Sequence, residues 1–272
     1  MPKCFGPLIC VLLLSACAYV DNSHPRNAIP LEPGELRNSF GYASSNNVNY
    51  LGNYKPDDQN EIIHSRTSAS YGTHTPTRWD LGIGYGYTLG VQGGIFFGPS
   101  FKGEGFDQPY GNIEIHYHLK MNAQKSFKLG SNTYLAMFPG IGIGQGSETI
   151  VRGYDLRYNR LSPELPITLS KLYGLSANID LIVSLSTRAA VDWVESDIMG
   201  GGGYAFSYIY YLEQPLNRIQ RNALMGHIDL QFRGMNWNIT LQYGAEHSTG
   251  DRSSRWSPVF YIGMGPYVNL KR

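Results

Sequence analysis

The sequence predicts an all-β chain: antiparallel strands running up and down around a closed barrel, apolar side chains on the outside and polar ones within. Three observations carry this. From Trp79 to Tyr243 residue character alternates with a period of two in one stretch after another, the spacing of strands with two unlike faces. The 272 residues include 32 Gly and 20 Tyr but only 16% charged residues, against about 25% in an ordinary soluble domain. The polar face of the alternating stretches is Gly, Asn, Gln, His, Asp and Thr. Repeated glycine weakens a strand and gains nothing against water, whereas small and polar residues suit a barrel lumen, and an apolar outer band edged with aromatics suits lipid. The alternation also fits a second architecture, a soluble lipid-anchored periplasmic β-barrel or sandwich whose apolar face would be its core or ligand pocket.

Charge excludes one class of partner. Lys and Arg number 22 against 21 Asp and Glu, a formal +1, so no nucleic acid is expected to bind and no acidic tail is present.

Residues 1–16 read as an export signal: Lys3, an apolar run from Leu8 to Leu14, then small residues. The run is too short to span a bilayer as a helix. Leu14-Ser15-Ala16-Cys17 resembles the lipobox of bacterial lipoproteins. That resemblance implies cleavage before Cys17, acylation of Cys17 with palmitate-like chains on sulfur and on the new amino terminus, and, with Ala18 rather than Asp following, sorting to the outer membrane. Three acyl chains, at roughly 0.8 kcal/mol per buried CH₂, suffice to hold a protein on a membrane. Cys4 and Cys10 leave with the signal and Cys17 is blocked, so neither a disulfide nor a cysteine metal site is expected.

Residues 17–60 are polar and rich in Asn, Ser and Pro, which reads as a tether and loop with at most one short strand near 36–43. Residues 61–272 form the barrel domain. Within it Leu81, Ile83, Tyr85 and Tyr87 alternate with Gly82, Gly84 and Gly86, and Ile113, Ile115, Tyr117 and Leu119 alternate with Asn112, Glu114, His116 and His118. Later stretches repeat the pattern at Leu135–Ile143, Leu165–Leu169, Ile179–Leu185, Ile228–Phe232 and Trp237–Tyr243. Turn chemistry places three hairpins. Thr88-Leu89-Gly90 and Leu172-Tyr173-Gly174 end in the glycine that a left-handed last position requires, and Gly234-Met235 suits a two-residue turn. Exposed aromatics for two girdles are Tyr85, Tyr87, Tyr204, Phe206, Tyr208, Tyr210, Trp237 and Tyr243.

From Glu61 to Tyr267 this layout resembles bacterial outer-membrane β-barrel proteins, by pattern and with no diagnostic motif. The resemblance implies periplasmic short turns, separated by even numbers of strands, and extracellular long loops near 99–110, 145–162 and 246–256. A count consistent with the three turns requires a further strand around Arg188–Ser196 and gives about twelve strands, with ten as the alternative. The chain departs from many such barrels at its end, where Val268-Asn269-Leu270-Lys271-Arg272 follows Tyr267 in place of a terminal aromatic.

Three constellations could carry chemistry. Glu114, His116 and His118 share one strand face, and His227, Asp229 and Arg233 share another. Imidazoles and carboxylates can hold a metal, but acid, His and Arg ladders satisfy one another in any closed lumen, so a polar network is expected and no metal. Glu246-His247-Ser248 bears a poor resemblance to outer-membrane lipid A deacylases and phospholipases. There His accepts the Ser proton for attack on an ester, whereas adjacent His247 and Ser248 face opposite sides of a strand. Gly200–Gly203 lacks the Lys and helix of a phosphate loop. The expectation is therefore an outer-membrane barrel lipoprotein with a structural, binding or small-solute passage role, no catalytic residue and no cofactor. Its partners would be outer-membrane lipid and a surface ligand or small solute. The wall of Gly82, Gly84, Gly86, Gly140, Gly142 and Gly144 leaves room inside, while the ladder from His227 to Arg233 fills the opposite side.

Overall fold

A computed structural model describes residues 19–21, 23–47, 71–99, 113–151, 154–199, 218–249 and 254–270. Its strands are β1 Tyr19–Asp21, β2 Glu35–Asn47, β3 Tyr71–Gly84, β4 Tyr87–Pro99, β5 Ile113–Lys128, β6 Thr133–Met137, β7 Gly140–Val151, β8 Tyr154–Ser176, β9 Ile179–Met199, β10 Arg218–Phe232, β11 Trp237–Thr249 and β12 Ser254–Asn269. Each pairs antiparallel with its neighbours, and β2 pairs with both β3 and β12, which closes the barrel. β6 and β7 both lie between β5 and β8, as two halves of one interrupted strand. The wall therefore has ten strands, with β1 added on the edge of β2 at Ser45–Asn47, just past the last pairing with β12 at Ala43.

Ten is the alternative count and not the favoured twelve. The excess lies between residues 175 and 233, where four strands are expected and β9 accounts for two of them. β8 runs 23 residues and β9 runs 21, so Ile179–Leu185 and Arg188–Ser196 are one strand, and 145–162 is mostly paired strand with only residues 152 and 153 between β7 and β8. The first two turns also lie elsewhere. β3 and β4 turn at Tyr85-Gly86, both with positive φ, as a tight hairpin of the primed type needs, and Gly90 sits within β4. β8 continues through Gly174 to Ser176 before turning. The third turn lies where expected but is a four-residue loop, Arg233–Asn236, closed by the Phe232–Trp237 pair in place of a two-residue turn. The possible strand near 36–43 is β2, a full member of the wall.

The barrel has a polar inside and an apolar outside. Along β10 every second residue from Ile219 to Asp229 is buried while the intervening ones are exposed, and Leu224, Ile228, Leu241, Ile143, Leu165 and Leu185 all point outward. Buried among the strands are Arg78, Arg188, Arg221, Asp192, Glu246 and Lys120. At the end with the short turns, Lys125 Nζ lies 3.9 Å from the Tyr87 ring and Lys171 Nζ 5.2 Å from the Tyr173 ring, apolar stems on the wall and charged heads at its rim. Tyr204, Phe206, Tyr208 and Tyr210, assigned to a girdle, lie outside the described residues.

The closing seam has its own device. Tyr261 turns inward and is buried, and its ring lies where a Cβ on Gly41 or Gly263, a cross-strand pair, would stand. An aromatic covering paired glycines fixes register and restores packing that glycine forfeits.

Candidate functional site: the occupied lumen

The polar segment read as a tether runs through the barrel. Residues 23–28 are all buried, Leu31 is buried, and the strands around them supply their hydrogen-bond partners. Three prolines, Pro25, Pro30 and Pro33, keep this stretch out of helix and out of strand pairing, so its backbone groups must be met by side chains. Leu31 N–H donates to Thr88 Oγ1 at 3.4 Å, Ala28 N–H to Ser170 Oγ at 2.7 Å, and His24 N–H to Gln242 Oε1 at 3.0 Å. In return Gln242 Nε2 donates to the His24 carbonyl at 2.9 Å, Lys120 Nζ to the Ser23 carbonyl at 3.3 Å and Arg78 to the Pro25 carbonyl.

Side chains of the segment bind the wall as well. Arg26 and Arg78 bracket Asp80 at 2.8 and 2.9 Å, all three buried. Asn27 Nδ2 donates to Asp229 at 3.0 Å, and Asp229 also accepts from Thr240. An apolar clasp forms where the wall is interrupted. Phe138, between β6 and β7, turns inward to pack with Ala28 and Ala136, and its ring meets His24 edge-on at 4.6 Å. Glycine opens the space this chain fills: a Cβ on Gly82 would strike the Glu32 carbonyl and the Leu31 side chain, and one on Gly90 would strike Arg26, Asp80 and Asn122. The room expected beside Gly82 and Gly84 is thus taken by the protein's own chain, whereas Gly86, Gly140 and Gly142 face residues of the neighbouring strands.

A second network lies across β8, β9, β10 and β11. Asp192 is met by Arg160 at 3.1 Å, by Arg221 at 2.7 Å and by Ser162. Glu246 is met by Arg188 and by Arg221 at 3.3 Å, and Glu164 lies 3.8 Å from Lys120 and 3.9 Å from Arg188. Each carboxylate faces two cations, the condition under which buried charges are tolerated.

Of the residues expected in the lumen, His118, His227 and Asp229 are there. Glu114 and His116 lie in β5, paired with Gly98 and Phe96, and their side chains are outside the described residues. Arg233 is elsewhere. It sits in the β10–β11 turn with its side chain 55% exposed, bonded to Asp180 at 2.5 and 2.6 Å, which raises its already high pKa. Parity would place Arg233 inward, but the ladder ends one residue earlier, at Phe232–Trp237. Arg78, Asp80, Asp192 and Arg221 carry no motif of their own, although the same alternation places them inside, and Glu246 belongs to this charged network and not to a Glu246-His247-Ser248 site. Among the described residues no three His, Cys, Asp or Glu side chains group as a metal site.

Glu246, His247 and Ser248 do not assemble as a triad. Glu246 is buried with the arginines, Ser248 Oγ lies 3.4 Å from it, and His247 Nε2 pairs instead with Ser254 Oγ at 2.7 Å beside the Trp256 ring. Among the described residues no carboxylate is bonded to His247. Gly200–Gly203 and Cys17 lie outside the described residues.

This geometry, a closed antiparallel barrel with lipid-compatible exterior and polar interior, is the fold of outer-membrane β-barrel proteins. No family model matches the chain, and no curated protein does. Among solved structures it is similar to the beta domain of the Bordetella autotransporter BrkA, at TM-score 0.50 and 10% identity over 86% of this chain and 99% of that one. Weaker likenesses are to the outer membrane protease OmpT of Escherichia coli, at TM-score 0.34 and 10% identity over 86% and 94%, and to Ail of Yersinia pestis, at 0.28 and 13% over 87% and 100%. The likeness to the BrkA beta domain bears on the fold alone.

Proposed function

We propose that the protein is a lipid-anchored outer-membrane barrel whose lumen is closed by its own amino-terminal segment, with a structural or binding role at the envelope rather than solute passage or ester hydrolysis. The observation that carries this reading is the buried run 23–28 with Leu31, held by side chains of β3, β4, β5, β8 and β11. A pore that conducts must have water where these residues lie. The apolar exterior supports the membrane location, and Leu14-Ser15-Ala16-Cys17 supports the lipid anchor. A binding partner would engage the long connections 48–70, 100–112 and 200–217, which all join strands at the end away from the short turns.

The test is planar-bilayer recording on the purified protein. The closed-barrel reading expects no conductance steps from wild type. Steady steps of one size from the intact chain would contradict it and restore passage as the role.

A further inference from the structure

We propose that the chain delivers Cys17 through the barrel to its outer end, so that the acyl chains lie in the outer leaflet of the outer membrane and not in the periplasmic one. This rests on the lipoprotein reading above and adds to it the leaflet, which the lipobox does not specify.

The first step is orientation. Every turn at one end, after β3, β5, β8 and β10, has two to four residues, whereas the other end carries the three long connections 48–70, 100–112 and 200–217 beside the short ones after β7 and β11; Gly34 N–H bonds Gly82 and Leu270 N–H bonds Gly34 at the all-short end. Short turns mark the periplasmic end of such barrels and long loops the outer one.

The second step is the direction of threading. Leu31 is bonded at Thr88, next to the β3–β4 turn; Arg26 at Asp80, further along β3; Ser23 at Gln92, further along β4. β1 then pairs with Ser45–Asn47, the last residues of β2 before its long connection. Read backwards from Gly34, the chain rises from the short-turn end to the long-loop end and joins the wall there.

The third step is reach. Cys17 precedes Tyr19 by two residues, at most about 7 Å of extended chain. From the level of β1 to the short-turn end is most of the length of β2, whose 13 residues span about 40 Å at roughly 3.3 Å per residue. Cys17 cannot cover that distance while β1 stays paired. An anchor in the periplasmic leaflet would require residues 23–31 to leave the lumen, stripping Asp80 of Arg26 and Asp229 of Asn27. The membrane surface within reach of the thiol is the outer one.

The test uses the full chain in its native outer membrane. Tyr19→Cys and Val20→Cys, successive positions of β1, are compared with Met235→Cys in the exposed β10–β11 turn, using a membrane-impermeant maleimide on intact and on permeabilised cells. Palmitate incorporation is followed in parallel in each variant and in Cys17→Ala. The proposal expects palmitate in all three variants and its loss in Cys17→Ala. It expects labelling of at least one β1 position in intact cells, and labelling of Met235→Cys only after permeabilisation. Palmitate present with both β1 positions silent until permeabilisation, or with Met235→Cys labelled in intact cells, overturns the outer-leaflet assignment and leaves the lipoprotein reading standing. Palmitate absent from every variant overturns the lipoprotein reading, and the anchor with it, whatever β1 reports.

Discussion

At the residue scale, the lumen is a set of charges that hold one another. Asp192 has no role alone; it is the anion between Arg160 and Arg221. Asp192→Ala leaves two buried guanidinium groups facing each other, a loss of about 3–5 kcal/mol for a broken buried pair, and urea unfolding in lipid vesicles should register it. Arg233→Ala removes the partner of Asp180, whose carboxylate is buried although the guanidinium is mostly exposed, and should shift the same curve by less than Asp192→Ala does, since a pair open to solvent on one side contributes less than a fully buried one. Gly82→Val is a test of a different kind. Its side chain would occupy the site of Glu32 and Leu31, so trypsin should cut after Arg26 in the variant and not in wild type. His118, His227 and Asp229 were legible because alternation sorts residues to a face without regard to partner. The partnering of Asp80 with Arg26 was not, because 54 residues separate them and no local period connects a wall position to an occupant.

At the element scale, period-two reading located strands well and strand ends poorly. A strand that continues past the bilayer keeps its alternation, so β9 is long enough to be counted as two, and Gly174, inside β8, reads as a turn glycine. The turn at Tyr85-Gly86 was hidden because positive φ at Tyr85 is uncommon for a bulky residue. The threaded segment gave no periodic signal at all. Its prolines and its Ser, His, Arg and Asn make it look like a linker, and only the neighbouring glycines hinted that something must fit beside them. The seam between β12 and β2 carries a separate prediction. Gly263→Val places atoms inside the Tyr261 ring, so the unboiled barrel should lose its resistance to heat at a lower temperature than wild type, read by gel mobility across a temperature series. Tyr261→Ala with Gly263→Val should recover part of the loss.

At the scale of the whole molecule, the class of fold was legible because it depends on which face is apolar. The outward Leu, Ile and Val of β7 to β11 against the buried Arg, Asp, Glu and Ser settle that. A detergent-resistant barrel should run faster unboiled than boiled, in wild type and in Cys17→Ala alike. A heat-insensitive band, with the mutant released to the soluble fraction, would instead fit a soluble lipid-tethered domain. The central claim is more specific: that the barrel contains its own amino-terminal segment. It is tested most directly by Ala28→Cys with Ser170→Cys in a Cys17→Ser chain, since Ala28 N–H reaches the Ser170 hydroxyl at 2.7 Å, which puts the residue 170 side chain against the residue 28 backbone and within the reach of a disulfide. The threaded barrel predicts that oxidation links the two positions in intact outer membranes, with each single-cysteine chain unlinked and shielded from maleimide. A residue 28 thiol that stays unlinked and reacts freely with maleimide in the folded barrel would contradict it.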